Sequence, residues 1–302
     1  MTKVFVIILN WNGKKDTHEC LKSVQKLTNV GFQLSVVVVD NGSKDGSVRS
    51  IKKQFKDIAV LENKENLGYV GGSNVGVKHA LENGADFVMV LNNDTTIKED
   101  LIIKFLEAAD TYKDVGIFSP KIYFAKGFEF HKERYSEKET GRVLWYAGGV
   151  VDWKNIFASN YGVDDTDIGQ YSSERKIDFA TGACIFARRE VFEKVGLFNE
   201  KYYLYLEDLE FSQRAKNAGW KILFVPDAVI WHKVSQSSGI GGSLNDYFIT
   251  RNRLLFGLKY AGIRAKIALI RESIKLLFVG REWQRRGAKD FYLARFGKGS
   301  WQ

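Results

Sequence analysis

The sequence predicts an α/β protein built around a mainly parallel central sheet with helices on both faces, followed by a C-terminal helical extension. Three observations carry that prediction. Continuous apolar, β-branched runs recur between residues 4 and 91, segments with helical spacing separate them, and the longer runs end in clusters of Asn, Asp, Gly and Ser. Strands that are apolar without alternation are buried on both faces, as parallel strands between helical layers are. Ligands in such sheets bind beyond the carboxyl ends of the strands, so chemistry is expected at those polar clusters.

Residues 4–9 form the first apolar run. It has the look of a signal-peptide core but is short, and Asn10-Trp11-Asn12-Gly13 follows in place of a small-residue cleavage site, so a buried strand is expected. Residues 14–27 carry helical spacing through Cys20, Leu21, Val24 and Leu27. A second strand, 34–39, ends at Asp40-Asn41-Gly42-Ser43, and a helix over 48–55 leads to a short strand at 58–61. Residues 66–74 are expected to form a Gly-rich loop that opens a helix over 75–81, and strand 87–91 ends at Asn92-Asn93-Asp94. From 115 to about 178 short strands, charged turns and glycines predict a surface insertion or an antiparallel part of the sheet. Order returns at Phe179-Ala180-Thr181-Gly182-Ala183-Cys184, with helices at 189–195 and from Glu207 to Ala218, the latter closed by Gly219. Two strands, 222–225 and 228–231, flank Pro226, His232 stands at their exit, and the chain beyond Asp246 reads as helical.

The 302 residues suffice for one large domain with an appendage or for two domains, and 45% hydrophobic residues supply a sizeable core. Cys20 and Cys184 lie far apart without metal-ligand spacing, the pattern of a reduced, cytoplasmic chain. No run approaches the ~20 apolar residues that span a bilayer. The net charge of +9 is concentrated in the tail: from Arg251 onward thirteen Lys and Arg face only Glu272, Glu282 and Asp290. There Ile263, Ile267, Ile270, Ile274 and Leu277 form an apolar stripe at helical spacing, with Arg264, Arg271 and Lys275 off it. Such a helix suits an anionic membrane surface or, equally, packing on the rest of the chain. Nucleic acid is not an expected partner, because the other 250 residues are near neutral and carry no recognised motif.

Asp94, just past a buried strand and flanked by Asn92 and Asn93, suits a hard divalent cation shared with phosphate oxygens, although Asp and Asn also serve as turn and cap residues. Asp40 suits the imide N–H of a pyrimidine or, again, a turn. The segment with Asn66, Gly68, Gly72 and Asn74 lets backbone amides approach a phosphate or ribose but matches neither the phosphate-loop nor the dinucleotide fingerprint. Glu207-Asp208 follows an aromatic stretch that includes Tyr205, suited to a sugar face or a core. Asp208 suits a general base or a helix N-terminal charge. His232 suits a metal shell or a structural place, and Arg251 a departing diphosphate or a basic helix.

Taken together and in order, these segments resemble family 2 of the inverting glycosyltransferases, which have the GT-A fold. The matching stretches are Val6-Ile7-Ile8-Leu9-Asn10-Trp11-Asn12, Val38-Val39-Asp40-Asn41-Gly42-Ser43, Asn66-Leu67-Gly68 with Gly71-Gly72-Ser73-Asn74, Leu91-Asn92-Asn93-Asp94-Thr95, Thr181-Gly182-Ala183-Cys184, Tyr205-Leu206-Glu207-Asp208-Leu209-Glu210 and His232. The match covers about residues 3–255, and Tyr247 with Arg251-Asn252-Arg253 makes the rhamnosyltransferase-like branch the most similar.

The resemblance implies a catalytic domain over 1–245, with a nucleotide-binding half (1–110) and an acceptor half (111–245), and a basic helical extension over 246–302. It implies a dTDP- or UDP-sugar held by Asn10, Asn12, Asp40, Asn41, Gly42, Asn66, Gly68, Gly72, Asn74, Asn92, Asn93 and Arg251. Asp94 and His232 would hold Mg²⁺ or Mn²⁺, Asp208 would be the base, and Gly182, Tyr205 and Glu207 would meet the acceptor or sugar. Asn92 replaces the first acid of the family's Asp-x-Asp pair, which raises the importance of His232. The implied activity is transfer of a sugar, rhamnose first, to a hydroxyl of a growing lipid-linked cell-surface glycan. Galactofuranose, glucose and N-acetylhexosamine are the alternatives, and the implied place is the cytoplasm or the inner membrane face. A homodimer is compatible with this reading.

Two other classes present similar features. A nucleotidyltransferase normally places its Gly-rich, basic loop directly after the first strand, where this chain has Asn10-Trp11-Asn12-Gly13. A non-catalytic glycan-binding protein would not need both Asp94 and Asp208.

Overall fold

The computed structural model describes residues 1–234 and 242–301; the implied acceptor half, 111–245, therefore includes seven residues outside the described ones. In chain order the elements begin β1 (Thr2–Asn10), α1 (Lys14–Val24), β2 (Phe32–Asp40), α2 (Ser47–Gln54), β3 (Ala59–Glu62), α3 (Gly68–Glu82), β4 (Phe87–Asn92), β5 (Thr95–Ile97) and α4 (Leu101–Thr111). A second stretch holds β6 (Val115–Phe124), β7 (Leu144–Tyr146), β8 (Gly149–Asp152), β9 (Phe157–Asn160) and β10 (Arg175–Lys176). It continues through β11 (Cys184–Arg188), α5 (Arg189–Val195), α6 (Glu207–Asn217) and β12 (Lys221–His232). Three helices close the chain: α7 (Ser243–Tyr260), α8 (Ile263–Val279) and α9 (Glu282–Tyr292).

The main sheet runs β10-β12-β6-β11-β4-β1-β2-β3, with β5 added beside β12 and β7 beside β6. Its long pairings are parallel: β1 with β2 and β4, β2 with β3, and β12 with β6. The antiparallel pairings gather around β11, β10, β5 and β7. The fold is therefore the mixed, mostly parallel α/β sheet that the uninterrupted apolar runs predict, and those runs are its core: residues 4–8, 37–39 and 87–91 are buried. Alternation along β1 places helices on both faces. Ile7 and Leu9 lie against Gly76 and Gly72 of α3, whereas Asn10, facing the other way, bonds Thr17 of α1. Between β6 and β11 the irregular region resolves into β7 and β10, antiparallel additions to the main sheet, and the β8–β9 hairpin, a separate two-stranded sheet.

Two local expectations are corrected. The glycine-rich segment after Leu67 is not a loop before a helix at residue 75; it is the first two turns of α3. A Cβ at Gly72 would stand 2.3 Å from Leu9 Cδ1, and one at Gly76 would stand 2.2 Å from Ile7 Cγ2. Close approach of helix to sheet thus outweighs the ~1 kcal/mol that each glycine costs in a helix interior. The strands flanking Pro226 are one strand, β12, whose register shifts against β6 between Val225 and Val229. That irregularity is where a residue without an N–H is tolerated within a sheet.

The tight α3–β1 contact gives a stability prediction. Gly76→Ala improves helix propensity yet forces a methyl group onto Ile7 and Val39, so it should destabilise by about 1–3 kcal/mol. A melting temperature several degrees below the wild type by calorimetry is the expected result; an unchanged or higher one would contradict the contact.

Candidate active site

Strand register builds the site. Asn10 is paired with Asp40 across β1–β2, and Leu9 with Asn92 across β1–β4, so three polar strand ends lie side by side. Asn10 is fully buried and ties them together. Its Nδ2 donates to Asp40 Oδ1 (2.7 Å), Ser47 Oγ (2.9 Å) and Ser43 Oγ (3.1 Å), while its Oδ1 accepts from Thr17 Oγ1 at 2.8 Å. Asp40 Oδ2 accepts from Ser43 N at 2.9 Å, so the carboxylate is held at both oxygens and keeps lone pairs for a further donor. Asn93 Nδ2 reaches Thr17 Oγ1 at 2.9 Å and joins the same network. On the rim, Asn12 adopts a left-handed backbone (φ 52°) and accepts from Lys44 N, and Trp11 beside it is 56% exposed. Gly42, also left-handed, lies where a Cβ would press on the Glu65 backbone.

The glycine segment is knitted rather than open. Asn41 is buried; its Nδ2 donates to Asn66 Oδ1 and Gly68 O, and its Oδ1 accepts from Asn63 Nδ2 and Leu67 N. Gly68 N donates to Asn66 Oδ1, and Val70 N to Tyr203 O. Asn74 bonds Phe198 through both amide atoms. The side chains of Asn41 and Asn74 thus brace the crevice wall, and Gly72 lies against Leu9 and Asn41. Arg251 is fully buried, and its guanidinium donates to the carbonyls of Lys201, Tyr202 and Gly297. An arginine out of water needs its donors filled, and here backbone oxygens fill them.

Asp94 and His232 meet because β5 follows Asp94 directly and pairs with the end of β12, setting His232 opposite Thr95. His232 Nε2 lies 3.1 Å from Asp94 Oδ1, and both side chains are largely buried. His232 Nδ1 is buried without a hydrogen-bond partner among the described residues, and Trp145 of β7 packs edge-on against the ring, centroids 4.7 Å apart. No cluster of three or more His, Cys, Asp or Glu suited to a metal occurs among the described residues. The oxygen–nitrogen pair nonetheless fits two neighbouring positions around one small hard cation, with the remaining positions left to phosphate and water.

The second acidic site lies next to the first. Asn92 N donates to Ala183 O, and the neighbouring Gly182 N donates to Asp208 Oδ2 at 2.8 Å. Asp208 Oδ1 takes the Leu209 amide at the start of α6 (2.7 Å), and Tyr69 of α3 donates to Gly182 O at 2.6 Å. Glu207 is buried with Oε2 unpartnered among the described residues. Burial, then the adjacent Asp208 charge, hold its carboxyl well above the usual range. Burial also raises Asp208, but the Gly182 and Leu209 amides oppose the shift. Loss of water is therefore less compensated at Glu207 than at Asp208, which has the two amides. Tyr205 belongs to the left-handed stretch that delivers this pair.

The family model for Glycosyl transferase family 2 matches residues 5–196. The chain belongs to that family. This family 2 glycosyltransferase is 27% identical over 214 residues to the N-acetylglucosaminyl-diphospho-decaprenol L-rhamnosyltransferase of Mycobacterium tuberculosis, covering 68% of each chain. It is also 27% identical over 257 residues to the low-salt glycan biosynthesis hexosyltransferase Agl10 of Haloferax volcanii, covering 83% of this chain and 74% of that one. Among solved structures, GalNAc-T7 with UDP, GalNAc and Mn²⁺ superposes with a TM-score of 0.68 at 17% identity, over 97% of this chain and 55% of its own. S. aureus TarS superposes with a TM-score of 0.56 at 19% identity, over 93% of this chain and 44% of its own. These likenesses establish the GT-A type of fold for this family 2 enzyme.

Three residues at the site were given no role from sequence. Tyr69 sat in a segment that glycines made look like a loop, Trp145 lies in the irregular region, and Trp11 was only part of a motif. For Trp11 an aromatic at a strand end before Asn-Gly was the available signal.

The Glu207 environment predicts a pH dependence. An unfolded glutamate titrates near ~4.3, below the raised folded value, so between the two the folded chain holds one more proton and its stability falls as pH rises. Glu207→Gln removes that slope. The melting temperature of the variant relative to wild type should climb between pH 4 and 7; a constant difference would place the proton elsewhere.

Proposed function

We propose that this family 2 enzyme is an inverting, metal-dependent transferase. It moves a sugar, rhamnose first, from a dTDP- or UDP-sugar to a hydroxyl of a lipid-linked cell-surface glycan. The observation that carries the reading is the adjacency of two unlike acidic sites, Asp94 beside His232 and Asp208 on Gly182, joined through the Asn92–Ala183 backbone bond. The relative from M. tuberculosis, whose name specifies rhamnosyl transfer to a diphospho-decaprenol-linked sugar, supports the donor and acceptor class.

In this reading Asp40 receives the imide N–H of the base, with Trp11 and Asn12 at the rim of the base site. Asp94 and His232 would hold Mg²⁺ or Mn²⁺, which would supply positive charge to offset that of the departing nucleoside diphosphate. Asp208, kept ionised by the Gly182 and Leu209 amides, takes the proton of the acceptor hydroxyl as its oxygen attacks the anomeric carbon in line, inverting configuration. Neutral Glu207 leaves Asp208 the one charged carboxylate of the pair. Residues 1–245 act as the catalytic domain.

The C-terminal helices extend the proposal to a surface. No helix among the described residues is long and apolar enough to cross a membrane. On α8, however, Ile263, Ile267, Ile270, Ile274 and Phe278 are 37–76% exposed, while Leu269 and Ser273 on the other side are buried. The helix therefore packs through one face and presents its apolar stripe outward, edged by Arg264, Arg271 and Lys275, as an interfacial helix on anionic lipid would.

Asp208→Asn should lower transfer by at least about a hundredfold while calorimetric donor affinity stays within about twofold; full transfer would remove the base assignment. Asp94→Ala should abolish the Mn²⁺-dependent part of dTDP-rhamnose binding in the same titration, and equal affinity with and without Mn²⁺ in the wild type would overturn the metal reading. The double change Ile267→Glu with Ile274→Glu should abolish co-sedimentation with vesicles containing phosphatidylglycerol; persistence of binding would sink the membrane assignment. Deleting residues 261–302 is unsuited to that purpose, because Gly297 and Asp290 hold Arg251 and Tyr247.

A further inference from the structure

The segment that delivers Glu207 and Asp208 is held in an unfavourable conformation, and α7 does the holding. Of the eight non-glycine residues with positive φ among the described residues, Tyr203, Tyr205 and Leu206 fall within four positions (φ 64°, 66° and 64°). Side-chain-bearing residues adopt this region only where surrounding structure over-determines it, and such strain gathers at functional sites. Here the over-determination is visible. Asn252 is fully buried, and its Nδ2 donates to three carbonyls of the strained stretch: Tyr202 O at 3.0 Å, Leu204 O at 2.8 Å and Tyr205 O at 2.8 Å. Arg251 Nη2 adds a second donor to Tyr202 O at 3.0 Å, and Arg251 Nε fixes the Asn252 amide by donating to its Oδ1 at 3.0 Å. Tyr203 is stacked on Phe248 of the same helix, ring centroids 5.3 Å apart, and lies where a Cβ at Gly68 would be. The next residue, Arg253, bonds the carbonyls of Asn155 and Ile156, the latter also left-handed.

We propose that Asn252, oriented by Arg251, is a positioning residue for transfer: it clamps residues 202–205 so that α6 starts with Asp208 against Gly182 and its carboxylate aimed at the acceptor. This rests on the reading of Asp208 as the base. Asn252 touches neither substrate nor the reacting atoms and acts only through the loop. The three amide-to-carbonyl bonds require a neutral donor at this spot, which an aspartate of the same shape does not supply.

Steady-state kinetics of the full chain with Asn252→Ala and, separately, Asp208→Asn form the test, with Asn252→Ser replacing the alanine variant where that does not fold. Loosening the loop should lower kcat about ten- to a hundredfold and leave donor KM within about twofold. Leu206→Gly, added to the Asn252 variant, should recover part of kcat, since glycine enters the left-handed region without the clamp. A kcat within about twofold of wild type, or a loss that Leu206→Gly does not relieve and that falls equally on donor affinity, would overturn the clamp. Full activity of Asp208→Asn would overturn the base reading on which it rests, whatever Asn252 does.

Discussion

The crevice depends on three strands ending level. Parallel pairing of β1 with β2 and β4 sets Asn10 beside Asp40 and Leu9 beside Asn92, and antiparallel β11 then brings Gly182 and Ala183 to the same edge. A slip of one residue in any of these pairings would turn its side chains to the opposite face. The buried apolar runs therefore do more than drive folding. By fixing register they fix which polar residues meet, and Asn10, with its amide in six hydrogen bonds, locks the result.

The two acidic sites divide their electrostatic work. Asp94 and His232 stand close together at low exposure, an acid and an imidazole in direct contact. Glu207 and Asp208 are neighbours in sequence but not in environment: one keeps a buried oxygen without a partner among the described residues, and the other is met by the Gly182 and Leu209 amides. Burial is opposed more strongly at Asp208 than at Glu207 by that difference in hydrogen bonding.

Most of the sheet was legible because apolar runs and strand-end polar clusters are local signals. The places of Asp40, Asp94 and Asp208 at element boundaries were legible for the same reason. What was hidden involved contacts between segments distant in sequence. Gly72 read as a loop residue, since nothing local reports that Leu9 lies against it. Arg251 read as a solvent-facing cation, since nothing local reports that carbonyls of residues 201, 202 and 297 surround it. The isoleucine stripe of α8 read equally well as buried or exposed, and only the packing of Leu269 and Ser273 decides the orientation.

Tyr203 is gripped between the start of α3 and Phe248 of α7, and this makes three distant parts of the chain a single packed unit. A bulkier residue at position 68 would have to be answered by a smaller one at 203, and that in turn by a change at 248. Among relatives these positions should be exchanged as a set. A chimaera that borrows its last helices from a relative would need to borrow residues 201–206 with them.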